Sequence, residues 1–223
     1  MNTLVQARGL VMDYPMKSGA VHALRGVDFQ LVAGESVCLF GASGSGKSTL
    51  LNVLAGLDRP DQGSLRVCGE DVAGLSQGQR TALRLRSVGM VFQDNNLVAQ
   101  FTAAENVELI LRCQGVDSPR VKALELLTVL GVDDLADRLP VDMSGGQRQR
   151  VGIARALAGE REVILCDEPT GALDRTNSDL LFGLLRELTR TKSVGVLIAT
   201  HDQDAAKYAD RVVEISDGQL VDR

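Results

Sequence analysis

The chain has 223 residues, a formal charge of −5, a pI near 5.1, 44% hydrophobic and 24% charged residues. That balance excludes a disordered polar chain, offers no general electrostatic attraction to nucleic acid, and suits one domain carrying an inserted subdomain. No apolar run approaches the roughly 20 residues that span a bilayer, and Met1–Leu4 does not open a signal peptide, so a cytosolic protein is expected whose membrane role, if any, comes through a partner. Cys38, Cys68, Cys113 and Cys166 lack the paired spacing of a zinc site and carry no assigned chemistry.

In chain order, partial alternation over 4–10, 21–24, 27–31 and 64–67 predicts an antiparallel sheet. The apolar run Ser36–Phe40 ends at a glycine-rich turn and is followed by helical Ser48–Leu54, which reads as strand, loop, helix. From about Asp94 to Pro140 the pattern is helical, with a start at Ser118-Pro119 and a stop at Gly131, so a helical subdomain inserted between sheet strands is expected. Ser144-Gly145-Gly146-Gln147 then opens a further helix through Ala158. The apolar runs Glu162–Cys166 and Val194–Ala199 fit strands covered on both faces, as in a parallel sheet flanked by helices.

Polar residues follow the ends of these runs, where open α/β sheets hold ligands. The loop pattern Gly41-x-x-x-x-Gly46-Lys47-Ser48, with Ser43, Gly44, Ser45 and Thr49, lets backbone N–H groups curl around phosphate oxygens. Lys47 would meet the outer phosphates, Ser48 would ligate Mg2+, and the helix that starts here aims its positive end at the same anion. Asp167-Glu168 offers a magnesium ligand followed by a general base for the attacking water, although such a pair alone also suits a solvated loop. Ser144–Gln147 is a second small-residue helix start suited to an anion, or simply a capped helix.

Taken in order, these three motifs resemble those of ATP-binding cassette (ABC) proteins over almost the whole chain: a Walker A loop, the signature Ser144-Gly145-Gly146-Gln147, and a Walker B strand ending at Asp167. The resemblance implies an α/β P-loop NTPase with a mixed, largely parallel core sheet, an N-terminal antiparallel β subdomain and an inserted α-helical subdomain at about 94–140, within one domain over 1–223. It implies ATP and Mg2+ as ligands. It also implies a head-to-tail dimer in which one copy's signature loop closes over the nucleotide held by the other, an integral membrane permease as separate partner, and a place at the cytoplasmic face of the membrane. Further matches carry roles over: Tyr14 as the ring that stacks on adenine, Gln93 as the residue sensing Mg2+ and water, Asp174 as the polar residue of the loop that communicates across the dimer, and His201 as the switch histidine.

Within the family, 56–63, Phe101–Val107 and Asp167–Asp174 are similar to the short ATPases of the lipoprotein-release and macrolide-export group, which also includes haem and antimicrobial-peptide systems. Met143 stands where leucine is common before the signature serine, Cys166 precedes the Walker B aspartate, and Gln100 lies where a proline is often near. A DNA- or ribosome-acting ABC ATPase would need a coiled coil, zinc modules or a second cassette. A lone P-loop kinase or GTPase would leave Ser144–Gln147 and His201 without a role. An ATPase signalling in cell division through a permease-like protein would look much the same.

Overall fold

The computed structural model describes residues 2–16 and 19–222. Its first elements are β1 (Thr3–Met16), β2 (Gly19–Val32), β3 (Ser36–Phe40), α1 (Lys47–Leu54), β4 (Gln62–Val67), β5 (Glu70–Asp71) and α2 (Gln77–Ser87). Then come β6 (Val88–Val91), α3 (Ala103–Cys113), α4 (Pro119–Val129), α5 (Gly145–Leu157), β7 (Val163–Asp167), α6 (Arg175–Lys192), β8 (Gly195–Ala199), β9 (Arg211–Ser216) and β10 (Gln219–Asp222).

Two sheets result, and the hydrophobic pattern explains which is which. Every residue of β3, β7 and β8 is buried, as continuous apolar strands require when both sheet faces are covered. They form the centre of a six-stranded sheet ordered β10-β9-β3-β8-β7-β6, parallel except for the β9–β10 hairpin at one edge. The alternating N-terminal strands make a second, antiparallel sheet ordered β2-β1-β4-β5. The pieces 21–24 and 27–31, expected as separate strands, are one strand, β2. Gly26 between them has φ 79 and sits where the β1–β2 register shifts, so the broken alternation is a bulge rather than a turn.

A core cluster with Leu10, Leu31, Leu50 and Leu197 joins the antiparallel sheet and α1 to one face of the large sheet. On the other face Ile164 and Ile198 meet Phe182 and Leu185 of α6 and Ile153 of α5. The third cluster is helical, built from Val107 and Leu111 of α3, Ala123 and Leu127 of α4, and Val151 and Ala154 of α5. Helix α5 therefore serves two cores. It reaches the sheet at Gly89, where an added Cβ would lie 2.2 Å from the Ala156 carbonyl oxygen.

Between β6 and β7 the helices are less continuous than the sequence pattern suggested. Residues 94–102 are irregular because Asn95 and Asn96 take left-handed φ values of 61 and 50, held by Arg155, whose guanidinium donates to the Asn96 carbonyl at 2.7 Å and the Asn95 carbonyl at 2.8 Å. Helix α4 does begin at Pro119, but Ser118 at φ 53 makes no side-chain cap, so the fixed φ of proline carries the start. Met143 is buried in the helical core and Cys166 in β7, both as apolar residues.

Candidate functional site

Because β3, β6, β7 and β8 run parallel, their carboxyl ends share one edge of the sheet, and each delivers a different part of one cleft. The cleft holds about 740 Å³ and is lined by Tyr14, 41–44, Gly46, Lys47, Ser48, Thr49, Gln93, Asp94, Asp167, Glu168 and His201, among others.

The loop after β3 needs its glycines for space as much as for conformation. A Cβ on Gly46, at φ 109, would lie 2.5 Å from the Ala23 carbonyl oxygen of β2; one on Gly41 would lie 2.5 Å from the Ile215 carbonyl oxygen of β9. The loop is thus wedged between two strands at Gly41 and Gly46, where only bare backbone fits. Gly46 then caps α1, leaving that helix's N–H groups toward the cleft. The Ser45 hydroxyl is buried beside Gly41 without a hydrogen-bond partner, and Ser45 is not among the residues that line the cleft. Lys47 is only 8% exposed, and its Nζ donates to the carbonyls of Gly41 at 2.7 Å and Ala42 at 3.2 Å while lying 3.8 Å from Glu168 Oε1.

Asp167 ends β7 with Oδ1 buried and without a hydrogen-bond partner. Burial pushes its carboxyl above the usual carboxylate range; the Ser48 hydroxyl pulls against that shift, the neighbouring Glu168 charge adds to it, and Lys47 opposes it. Glu168 follows in the left-handed region at φ 46, a conformation costing a non-glycine residue about 1–3 kcal/mol. What holds it there is the end of β8. Its N–H donates to the Ala199 carbonyl at 2.9 Å, and its Oε2 accepts from Thr200 Oγ1 at 3.2 Å and from the His201 backbone N–H at 3.3 Å, with His201 Nδ1 at 2.9 Å. The His201 side chain is 79% exposed and leans into the cleft from that carboxylate.

At another part of the lining, Tyr14 of β1 donates its hydroxyl to Asp58 Oδ2 at 3.2 Å. Burial raises its phenol, the Thr49 hydroxyl opposes the rise, and Asp58 adds to it. Gln93 and Asp94 come from the exposed turn after β6.

Ser144–Gln147 and Asp174 do not line this cleft. Ser144 Oγ accepts from the Gln147 N–H at 3.3 Å and Gln147 Oε1 accepts from the Ser144 N–H at 2.8 Å, a reciprocal cap on α5. Asp174 caps α6 by accepting from the Asn177 N–H at 2.9 Å and the Asn177 amide at 2.8 Å, and these bonds hold its carboxyl below the usual range. The two regions meet through the 171–173 turn. Gly171 and Ala172 line the cleft, while a Cβ on Gly146 would lie 2.9 Å from the Ala172 carbonyl oxygen.

Sequence reasoning missed Asp94 and Thr200, each adjacent to a residue it chose, and Val21 and Ala23, whose place in the lining comes from strand pairing and has no local signal. Among the described residues no group of three or more His, Cys, Asp or Glu side chains could hold a metal by itself, and no helix is long and apolar enough to cross a membrane.

The sequence profile of the family described as ABC transporter matches residues 24–171. The macrolide export ATP-binding/permease protein MacB 1/2 of Paracoccus denitrificans is 46% identical over 220 residues, 98% of this chain but 33% of that protein. The lipoprotein-releasing system ATP-binding protein LolD of Hyphomonas neptunium is 40% identical over 224 residues, covering 100% of this chain and 98% of that one. The chain thus spans about a third of the MacB relative and nearly all of the LolD relative. Among solved structures, the dimeric post-hydrolysis state of the ATP-binding cassette MJ0796 bound to ADP and Pi superposes with a TM-score of 0.94 at 36% identity, covering 97% of this chain and 96% of that one.

Proposed function

The chain belongs to the ABC transporter family, and from that premise we propose that it binds and hydrolyses ATP as one half of a head-to-tail pair that drives a separate integral membrane permease. The observation that carries this is the convergence of Lys47, Ser48, Asp167, Glu168 and His201 on one cleft from two strand ends and one helix start.

In this reading the loop N–H groups and Lys47 hold the nucleotide phosphates, Thr49 and the Tyr14 ring bound the nucleoside side, and Gln93, in the same lining, senses Mg2+ and the attacking water. Mg2+ fits the residues present: a buried carboxylate oxygen of Asp167 without a protein partner sits beside the Ser48 hydroxyl, and magnesium is commonly held by one or two carboxylates with substrate phosphates and water. When bound, it would supply charge neutralisation to the phosphates. Glu168 takes the proton of the attacking water, and His201, bonded to the same carboxylate, orients it from the open side.

A single cassette supplies only part of this. Ser144, Gly145, Gly146 and Gln147 lie outside the cleft of their own copy, which supports their use on the nucleotide of a second copy, with Asp174 and the 171–173 turn at the junction. The names of the LolD and MacB relatives support an export or lipoprotein-release type of system for the assembly; a place at the cytoplasmic membrane face, through the permease, belongs to the same proposal. The whole chain is read as one nucleotide-binding domain, with the helical insertion at about 94–140 carrying the signature loop at its end.

Glu168→Gln tests the reading. It keeps size and polarity but removes the base, so ATP binding should persist while turnover falls by about 100-fold or more. The variant should accumulate as an ATP-bound dimer in light scattering. Turnover at the wild-type rate would overturn the assignment.

A further inference from the structure

The carboxylate of Glu168 is held by a group that none of the motifs names. Thr200 is fully buried at the end of β8, where its N–H donates to the Leu39 carbonyl of β3 at 3.1 Å. Its hydroxyl has a single proton, and that proton is given to Glu168 Oε2 at 3.2 Å. The hydroxyl oxygen, Thr200 Oγ1, accepts the Asp202 N–H at 3.0 Å. Both capacities of the hydroxyl are therefore in use, one on the carboxylate and one on the turn that carries His201.

We propose that Thr200 is a positioning residue for hydrolysis, its hydroxyl fixing the Glu168 carboxylate and the 200–202 turn in one geometry. Three observations converge on this. Glu168 has a left-handed backbone, so its side-chain direction is not secured by ordinary strand or helix geometry. The remaining partners of Oε2 come from His201, whose ring is exposed, whereas Thr200 has no accessible surface and cannot exchange its bond for water. Finally, the hydroxyl closes the turn by taking the Asp202 N–H, and Asp202 Oδ1 in turn accepts the Asp204 N–H at 2.9 Å. Removing the hydroxyl frees both reacting side chains at once: the carboxylate loses a donor and the turn loses its tie. The γ-methyl group is the other half of the threonine side chain, and a valine there would keep the volume while losing the chemistry.

This rests on Glu168 being the base. The test compares steady-state ATPase activity of the full chain with ATP and Mg2+ for the wild type, Thr200→Val and Thr200→Ser, with a fluorescent ATP analogue reporting binding on the same preparations. Thr200→Val should lower kcat by about 10-fold or more, because small displacements of a reacting group are costly, while KM for ATP changes by less than about 3-fold. Thr200→Ser retains the hydroxyl and should restore kcat to within about 3-fold of the wild type. A merely structural role would lower nucleotide binding and melting temperature without this separation of kcat from KM. Should Thr200→Val not fold, Thr200→Cys takes its place, being small with a weak donor, and the same order of kcat is expected. Wild-type kcat in Thr200→Val or Thr200→Cys, with Glu168→Gln inactive, would overturn the role of Thr200 alone. Full activity in Glu168→Gln would instead remove the reading on which it rests.

Discussion

Replacing Asp167 by asparagine should make the protein more stable and less active. The carboxylate is 8% exposed, its Oδ1 has no hydrogen-bond partner, and burial raises its pKa above the ordinary range. A buried acceptor left unpaired costs about 1–3 kcal/mol, and more when charged. A neutral amide of nearly the same shape should return about 1 kcal/mol of that, or roughly 2–4 °C in melting temperature for a chain of this size. The pH dependence fixes the cause. The folded state binds this proton more tightly than the unfolded chain does, so the penalty is absent below the unfolded carboxylate pKa and fully present above the raised folded one. The stability gap between variant and wild type should therefore open as pH rises and close in acid. Scanning calorimetry in chelator without nucleotide, from about pH 4 to about pH 8, measures it. In the presence of Mg2+ and ATP the same variant should lose about 10–100-fold in turnover, since the side chain proposed to hold the magnesium ion loses its charge. An Asn variant that melts below the wild type at neutral pH, or by the same margin at every pH, would refute desolvation as the source of the shift.

Two other substitutions test how the site is built. Gly46→Ala places a Cβ 2.5 Å from the Ala23 carbonyl at a left-handed φ of 109 and should cost about 2–5 kcal/mol with loss of nucleotide binding; Gly44→Ala, at φ 80 but with open space around it, should cost only the backbone strain of about 1–2 kcal/mol. Equal melting temperatures for the two would contradict the steric account. Arg155→Ala removes two hydrogen bonds to the left-handed Asn95 and Asn96 and should cost about 2–3 kcal/mol, with amide exchange rising first in 94–98. Unchanged protection of that segment would mean that Arg155 does not hold it.

The parts of the molecule that could be read from sequence are those whose physics is local. Ser36–Phe40 and Val194–Ala199 declare buried parallel strands by unbroken apolar runs, and the Gly41–Ser48 pattern carries its own phosphate chemistry. Helix α2 was missed because only Leu83 and Ser87 of it are buried, which leaves no apolar stripe to see, although Ser76 and Gln79 form a full capping box. The bulge at Gly26 imitated a turn, and the irregular 94–102 segment depends on Arg155, about 60 residues away in the chain. Ser45 shows the limit inside a strong motif. The spacing marks it as part of the loop, yet the burial of its hydroxyl beside Gly41 is a matter of tertiary packing that the spacing does not carry.

The 171–173 turn gives the strongest physical reason for reading the two halves of the chain together. Gly171 and Ala172 line the cleft, Leu173 packs with the sheet-side core, and the Ala172 carbonyl sits where any side chain on Gly146 would collide. The turn starts from Glu168, whose carbonyl accepts the Gly171 N–H at 3.2 Å, and it ends at Asp174, which caps α6. A change in the backbone at Glu168 therefore has a short, packed route to the first turn of α5, with no flexible linker between them. Helix α5 also packs into both the sheet core and the helical core. Tilting of α5 by the turn would move the α3–α4 unit against the sheet, because close-packed interfaces shift between arrangements rather than deform smoothly. The contact through which the 171–173 turn meets α5 is thus at Gly146, where the absence of a side chain leaves room for the Ala172 carbonyl.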